Sequence, residues 1–409
     1  MFWIFFCLIA GCAVFQTGLD LLNWRWIRQH RGTIPPEFAG AVDPEKVAKI
    51  EAYTQAKIML HLLGDVIGKS LMLMLLLIDG FAWFSVQVEG FGFSPLPTAL
   101  IFFGALSVAG GFLSLPFDWY ATFRLEERFG FNRTGYRLWI MDKIKSLVLG
   151  SLIGGLLLSV VILLLYHAGP LWWLICWSVV FGFSFLLNVL YPIVIAPLFN
   201  KFTPLEEGDF RGRVLELMDR AGIRSKEVMI MDAGKRSAHT NAYFTGIGRT
   251  KRIVFYDTLL EKHTEEQGLA VLAHEAGHWK KKHVLKNVIL SQSVSLSLFA
   301  VTGWLVLWEP MYIAFGFGGV RPYAGLFLVS LVYSPAMFFL QPFLSIMSRR
   351  FEYEADRFAA HAMNLGQALC DMLVKLSLDN LSNLNPHPWY VWFHYSHPTV
   401  VQRIRRIKE

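Results

Sequence analysis

The chain has 409 residues, of which 54% are hydrophobic and 17% charged, where a soluble domain is about 25% charged. Its 34 Phe and 14 Trp are more apolar surface than one or two soluble globules can bury. The composition also excludes disorder, collagen-like repeats and a disulfide miniprotein. The 38 Lys and Arg exceed the 31 Asp and Glu, giving a formal charge of +7. Basic loops between membrane spans produce such an excess as readily as a nucleic-acid site does. Cys7, Cys12, Cys176 and Cys370 form no CxxC pair, so neither a disulfide framework nor a thiolate metal site is indicated.

A span needs about 20 apolar residues. Seven stretches qualify: Phe2–Leu22, Val66–Val88, Thr98–Phe117, Ser146–Tyr166, Leu171–Phe199, Val288–Trp308 and Ala324–Met347. Lys69 and Asp79 interrupt the second; Lys69 can snorkel, whereas Asp79 needs a partner or a wet cavity. Ile9-Ala10-Gly11-Cys12 resembles a lipoprotein processing site. No basic stretch precedes it and the apolar run continues through it, so it reads as part of span one.

The connections alternate in charge. The segments after spans one and three are rich in Lys and Arg, whereas Glu89–Pro97 and His167–Pro170 have none and Glu309–Tyr323 has only Arg321. By the positive-inside rule the amino terminus lies outside and the large polar segments lie in the cytoplasm, in a bacterial inner membrane or one of the ER type. The expected organisation is a five-helix membrane portion (1–199), a cytoplasmic segment (200–287), spans six and seven (288–347) and a cytoplasmic tail (348–409). Polar residues of span six, such as Ser291, Ser293 and Ser297, suit either a wet lining or helix–helix hydrogen bonds.

The segment 200–287 reads as a helix near Phe210–Ala221, a strand at Glu227–Met231 and a hairpin from Asn241 to Tyr256 turning at Gly246–Thr250. A helix follows from Thr264. Within it stands His274-Glu275-Ala276-Gly277-His278. Residues four apart share a helix face, so both imidazoles reach one metal and Glu275 reaches a water beside it. Zinc suits neutral imidazoles with a carboxylate and leaves a position for water. The motif alone is short, and two surface histidines would also satisfy it.

A third ligand stands at the foot of span seven, in Arg349-Arg350-Phe351-Glu352-Tyr353-Glu354-Ala355-Asp356. Glu352 and Asp356 share a face, and Glu354 points elsewhere. Glu352 is the natural ligand, and Asp356 is placed to accept the free N–H of a ligating histidine. The run Lys280-Lys281-Lys282 reads as a basic cluster beside the membrane rather than a nucleic-acid patch.

Taken with Leu115-Pro116-Phe117, Phe129-Gly130-Phe131-Asn132, Ala196-Pro197-Leu198-Phe199-Asn200, Asn241-Ala242-Tyr243-Phe244 and Ser396-His397-Pro398, these motifs resemble the CAAX prenyl protease 1 family of integral-membrane zinc metalloendopeptidases. The fold so implied is an all-α membrane protein of seven transmembrane helices around a chamber, with a cytoplasmic zincin-like α+β metalloprotease portion. The resemblance implies one zinc per chain on His274, His278 and Glu352, with Glu275 as general base. It implies that Asn241 holds substrate backbone, that His397 stabilises the oxyanion and that Arg403 organises the ligand shell. The implied substrate is a peptide with a prenylated C-terminus or another membrane-associated peptide, met at the lipid bilayer. Departures are Ala276 for a usual Leu, Thr399 for a frequent Pro and Glu354 for a frequent Gln. A quality-control membrane protease, or a seven-span transporter or receptor, are the competing readings.

Overall fold

The computed structural model describes residues 1–223, 227–245 and 252–409. The membrane portion begins with α1 (Phe2–Gln29), α2 (Pro44–Leu77), α3 (Gly80–Glu89) and α4 (Pro95–Tyr120). A π-helical turn leads from α4 into the single turn α5 (Glu127–Phe129), followed by α6 (Tyr136–His167) and α7 (Trp172–Leu190). The polar lobe contains β1 (Phe202–Pro204), α8 (Asp209–Ala221), β2 (Glu227–Met231), β3 (Ala242–Thr245), β4 (Arg252–Tyr256), α9 (Asp257–Lys262) and α10 (Glu265–Lys280). The chain then returns through α11 (His283–Leu305), α12 (Glu309–Ala314) and α13 (Pro322–Arg357), and ends in α14 (Gly366–Asp379), α15 (Pro388–His394) and α16 (Val400–Lys408).

Among the described residues, seven helices are long and apolar enough to cross a membrane. They neighbour one another in a closed ring: α1 with α2, then α4, α6, α7, α11 and α13, which returns to α1. Seven axes at the usual 8–10 Å spacing in a ring would leave a central space roughly 10 Å across, and α13 also meets α4 and α6. Low burial agrees with this: the apolar windows of the α4, α6 and α11 spans are only 6% buried. These three helices therefore meet protein along a narrow seam, whereas the window of the α13 span is 39% buried. One end of the ring is plugged by aromatic packing of α3 and α12, with Phe81, Phe102, Tyr312 and Tyr323 in one cluster. There Glu89 accepts from Arg321 Nε at 2.9 Å and from the Tyr323 hydroxyl at 2.8 Å.

The second span departs from expectation. Its apolar run does not form one helix: α2 ends at Leu77, Asp79 adopts a left-handed φ of 53°, and α3 starts afresh at Gly80. A carboxylate at this depth is accommodated by ending the helix at the plugged end, where its side chain meets Gly316. The crossing helix instead begins earlier, at Pro44, which follows the N-cap Asp43. Lys69 is paired with Asp65 and Gln16. Ser291, Ser293 and Ser297 are exposed and donate to carbonyls of their own helix rather than across a helix–helix contact, an option open to Ser in any helix.

At the open end, the sheet runs in the order β1-β2-β4-β3. β2 and β4 are parallel, and β3 is antiparallel to β4 on the outer edge. The expected hairpin is therefore present as a strand pair, and its turn lies outside the described residues. The membrane loops are clamped to this lobe by a cluster of Phe38, Tyr53, Phe129, Phe131, Ala238 and Leu381. At its centre the Tyr53 hydroxyl donates to Glu126 at 2.6 Å, and His239 lies 3.4 Å from the same carboxylate.

Candidate metal centre

The start of α10 is set locally. Thr264 accepts from the Gln267 N–H, and the Gln267 side chain accepts from the Thr264 N–H, closing a capping box. Leu269, Ala270, Leu272, Ala273 and Ala276 form the helix face that enters the core with α8, β4 and α14. Ala276 is fully buried there. One turn beyond Ala273 on the same buried side, α10 meets α13 at unusually close range. A Cβ on Gly277 would lie 2.9 Å from Ala355 Cα and 3.0 Å from its carbonyl oxygen. Only glycine lets the two backbones touch, and Glu352 thereby arrives beside both histidines.

One ligand atom from each of His274, His278 and Glu352 lies within 4.8 Å of the others. His274 Nε2 and His278 Nε2 are 3.2 Å apart, His274 Nε2 lies 3.4 Å from Glu352 Oε2, and His278 Nε2 lies 3.3 Å from Glu352 Oε1. Donors 2.0–2.1 Å from a tetrahedral centre stand about 3.3 Å from one another. Glu352 is 4% exposed and its Oε2 has no hydrogen-bond partner among the described residues. Two imidazoles, one carboxylate and a buried orphan oxygen fit a divalent cation of the zinc type, which these three residues would hold.

The outer contacts decide which nitrogen each ring presents. His274 Nδ1 donates to Asp356 Oδ1 at 2.8 Å, leaving the Nε2 lone pair facing the centre. Asp356 is in turn gripped by Arg403, with Nε on Oδ2 at 2.8 Å and Nη2 on Oδ1 at 2.6 Å. Arg403 Nη1 stands 3.6 Å from Glu352 Oε2. Burial and the Arg403 charge press the His274 pKa down, but hydrogen bonds to Asp356 and Glu352 outweigh them and push it up to about 9. The same cluster that suits a cation thus also attracts a proton. Arg403 itself loses solvation on burial, yet Asp356 more than offsets this and raises its pKa. Arg403 sits in the first turn of α16, whose N-cap is Thr399, with Gln402 completing a capping box.

A second relay, not anticipated from the motifs, serves the other histidine. His278 Nδ1 lies 3.1 Å from His283 Nδ1, and His283 Nε2 lies 3.1 Å from Glu354 Oε2. If His278 offers Nε2 to a metal, its Nδ1–H donates to His283, whose Nε2–H donates to Glu354. His283 is stacked on Phe351 at 4.2 Å and is almost fully buried. The only hint in the sequence was a histidine just beyond HExxH, and no helical spacing joins it to the motif because Lys282 breaks the helix with a φ of 56°.

The remaining residues gather around one cavity of about 420 Å³, bordered by Asn241, Glu275 and His397 and walled by Val271, Leu369 and Met372. Glu275 is half-buried, with no hydrogen-bond partner of its own among the described residues. His397 Nε2 is 3.3 Å from Glu352 Oε1, while its Nδ1 is 2.9 Å from the Ser396 hydroxyl. Asn241 stands one residue before β3 rather than within it. Its Oδ1 lies 2.8 Å from the Ala242 nitrogen.

Comparison with known proteins agrees with this geometry. Residues 23–201 match the family model described as CAAX prenyl protease N-terminal, five membrane helices, and residues 204–409 match Peptidase family M48. The chain belongs to peptidase family M48. It is 34% identical to CAAX prenyl protease 1 of Saccharomyces cerevisiae, covering 97% of this chain and 94% of that one. It is 33% identical to a rice homologue, covering 98% and 96%, and 32% identical to the human homologue, covering 92% and 88%. The crystal structure of S. mikatae Ste24p superposes with a TM-score of 0.93 at 31% identity, covering 100% of this chain and 99% of that one. The M48 chain is thus an integral-membrane metalloendopeptidase acting on peptide substrate. The quality-control, transporter and receptor readings are not favoured.

Proposed function

We propose that the protein is a zinc endopeptidase that cuts near the C-terminus of prenylated or other membrane-associated peptides. The observation that carries the reading is the convergence of His274, His278 and Glu352, with ligand atoms within 4.8 Å of one another, braced from behind by Asp356 and Arg403. The chemistry that zinc supplies at such a site is polarisation of the scissile carbonyl and acidification of a water.

The chain's own residues do the rest. Glu275 takes the proton from the attacking water and delivers it to the leaving amine. His397, its Nδ1 accepting from Ser396, offers Nε2–H to the carbonyl oxygen as charge develops there. β3 has an unpaired edge along which an extended peptide lies by main-chain hydrogen bonds, and Asn241 marks the point where that peptide enters the cavity. The hollow helix ring would receive the apolar group of a lipidated substrate, with the amino terminus outside and the metal centre in the cytoplasm. The polar portion is then built from 200–287 and the tail 348–409, joined through the α10–α13 contact.

The test is metal content and cleavage by the purified protein and its Glu275→Gln variant, each given farnesylated and unmodified forms of one CAAX peptide. One zinc per chain is expected in both proteins, with cleavage by the parent alone and preference for the farnesylated form. Equal cleavage by the two proteins refutes the role of Glu275. Equal cleavage of the two peptides refutes the prenyl preference, and absence of metal refutes the site.

A further inference from the structure

Well away from the metal centre lies a larger cavity, about 890 Å³, at the foot of α6. Its walls are the first turns of α6, the Pro197–Phe202 connection that follows α7, β2 and the turn at 232–236. Six cationic side chains line it (Arg137, Lys145, Lys201, Lys235, Arg236, Arg252) against a single acid, Asp232. Three of the six are committed elsewhere. Arg236 is paired with Asp142, Arg252 with Glu227, and Lys145 Nζ donates to the Leu198 carbonyl at 2.8 Å. Arg137, Lys201 and Lys235 are exposed and have no acidic partner among the described residues.

Position decides what such a cluster would bind. The candidate spans Tyr136–His167 and Gly169–Leu198 both end at this cavity, so its mouth lies at the level of the bilayer surface. Its apolar border is continuous with exposed apolar side chains at the ends of both spans: Met141 is 44%, Leu198 45% and Ile144 56% exposed. A free anion would use only the cationic half of this arrangement. A phospholipid uses both, with its phosphate among the three uncommitted cations and its acyl chains along α6. Basic pockets beside transmembrane helices hold anionic headgroups in this manner.

We infer that this cavity is a binding site for one anionic phospholipid of the leaflet on the catalytic side. The lipid ties the foot of α6 to β2, bridging the membrane ring and the polar lobe. This inference does not depend on the substrate.

The experiment uses the full chain in zwitterionic detergent, with dioleoyl-phosphatidylglycerol or dioleoyl-phosphatidylcholine added in equal amounts and bound lipid counted by native mass spectrometry. One phosphatidylglycerol is expected to be retained per chain in clear excess over phosphatidylcholine. Each basic group at an anionic headgroup is worth roughly fivefold, so the triple variant Arg137→Gln, Lys201→Gln, Lys235→Gln should retain it on the order of 100-fold more weakly. A control triple, Arg31→Gln, Lys46→Gln, Lys49→Gln, should behave as the parent. Thermal unfolding of both triples without added lipid shows that they fold. Equal retention of the two lipids, undiminished retention by the first triple, or an equal loss in both triples overturns the inference. Displacement by equimolar inorganic phosphate also overturns it, because the site would then be one for a free anion.

Discussion

Replacing Gly277 by Ala tests whether the close approach of α10 and α13 builds the metal centre. The added Cβ would stand 2.9 Å from Ala355 Cα, 3.0 Å from its carbonyl oxygen and 3.1 Å from Phe358 Cβ. Carbon contacts are comfortable from about 3.5 Å, so the helices must part by roughly half an ångström. Two of these atoms belong to the helix backbone, which cannot swing aside as a side chain would. Overpacking of this kind costs about 1–3 kcal/mol, while Ala in place of Gly returns about 0.8–1.0 kcal/mol of helix propensity. The net effect is a loss of up to about 2 kcal/mol. A shift of half an ångström also reaches the tolerance of a preorganised site, so metal affinity should fall by around tenfold, the low end for a disturbed ligand support. Gly212→Ala in α8 is the matched control, because nothing lies within 4 Å of its added Cβ. It should raise stability slightly and leave the metal untouched. Thermal unfolding and chelator competition read both variants. If Gly277→Ala keeps the parental metal affinity, or is stabilised as much as Gly212→Ala, the close contact does not set the ligand geometry.

Three further outcomes follow from the groups around the centre. His283→Ala removes the acceptor of the His278 Nδ1–H and should weaken metal binding by about 10–100-fold. His283→Gln, which restores an acceptor, should recover part of this in the same chelator titration. Arg403→Gln leaves Asp356 and Glu352 buried without their cation, a loss of about 3–5 kcal/mol by the usual cost of breaking a buried pair, read as a lower unfolding temperature at neutral pH. His263 has a fully buried side chain, and burial, helped by the Lys375 charge, lowers its pKa below the ordinary value. The folded state therefore prefers the neutral ring. Its contribution to stability is complete above the unfolded value of about 6.5 and is lost as pH falls from there through the depressed folded value. His263→Phe should flatten that stretch of the stability–pH curve, and an unchanged slope would remove His263 as its source.

How much could be read in advance depended on the range over which each feature is encoded. The α10 start is written within four residues, Thr264 to Gln267, and the ligand pair within five, His274 to His278, so both were legible. Asp356 behind His274 was legible because Glu352 and Asp356 are spaced by one helical turn. The β2 strand was found within its own bounds, but β1 has three residues and its place depends on pairing with β2. The break at Asp79 was hidden because residues on either side remain apolar. His283 was missed because its contact with His278 crosses a helix boundary that only the left-handed Lys282 creates. Thr399, a departure from the resembling proteins, proved to be the cap of the helix bearing Arg403.

Helix α13 runs from Pro322 to Arg357 with Pro335 and Pro342 inside it, so one helix carries both an apolar span and Glu352 of the candidate metal centre. From Met347, where the apolar stretch stops, to Glu352 the axial rise is about 7.5 Å at 1.5 Å per residue. On the proposed reading, the metal centre is therefore held a fixed distance beyond the apolar stretch, as on a depth gauge. For the membrane-tethered peptide proposed as substrate, a bond would be eligible according to how far it stands from the tether, before any side chain is recognised. Thinning or thickening the bilayer should then move the preferred bond along a tethered peptide without a single change in the enzyme.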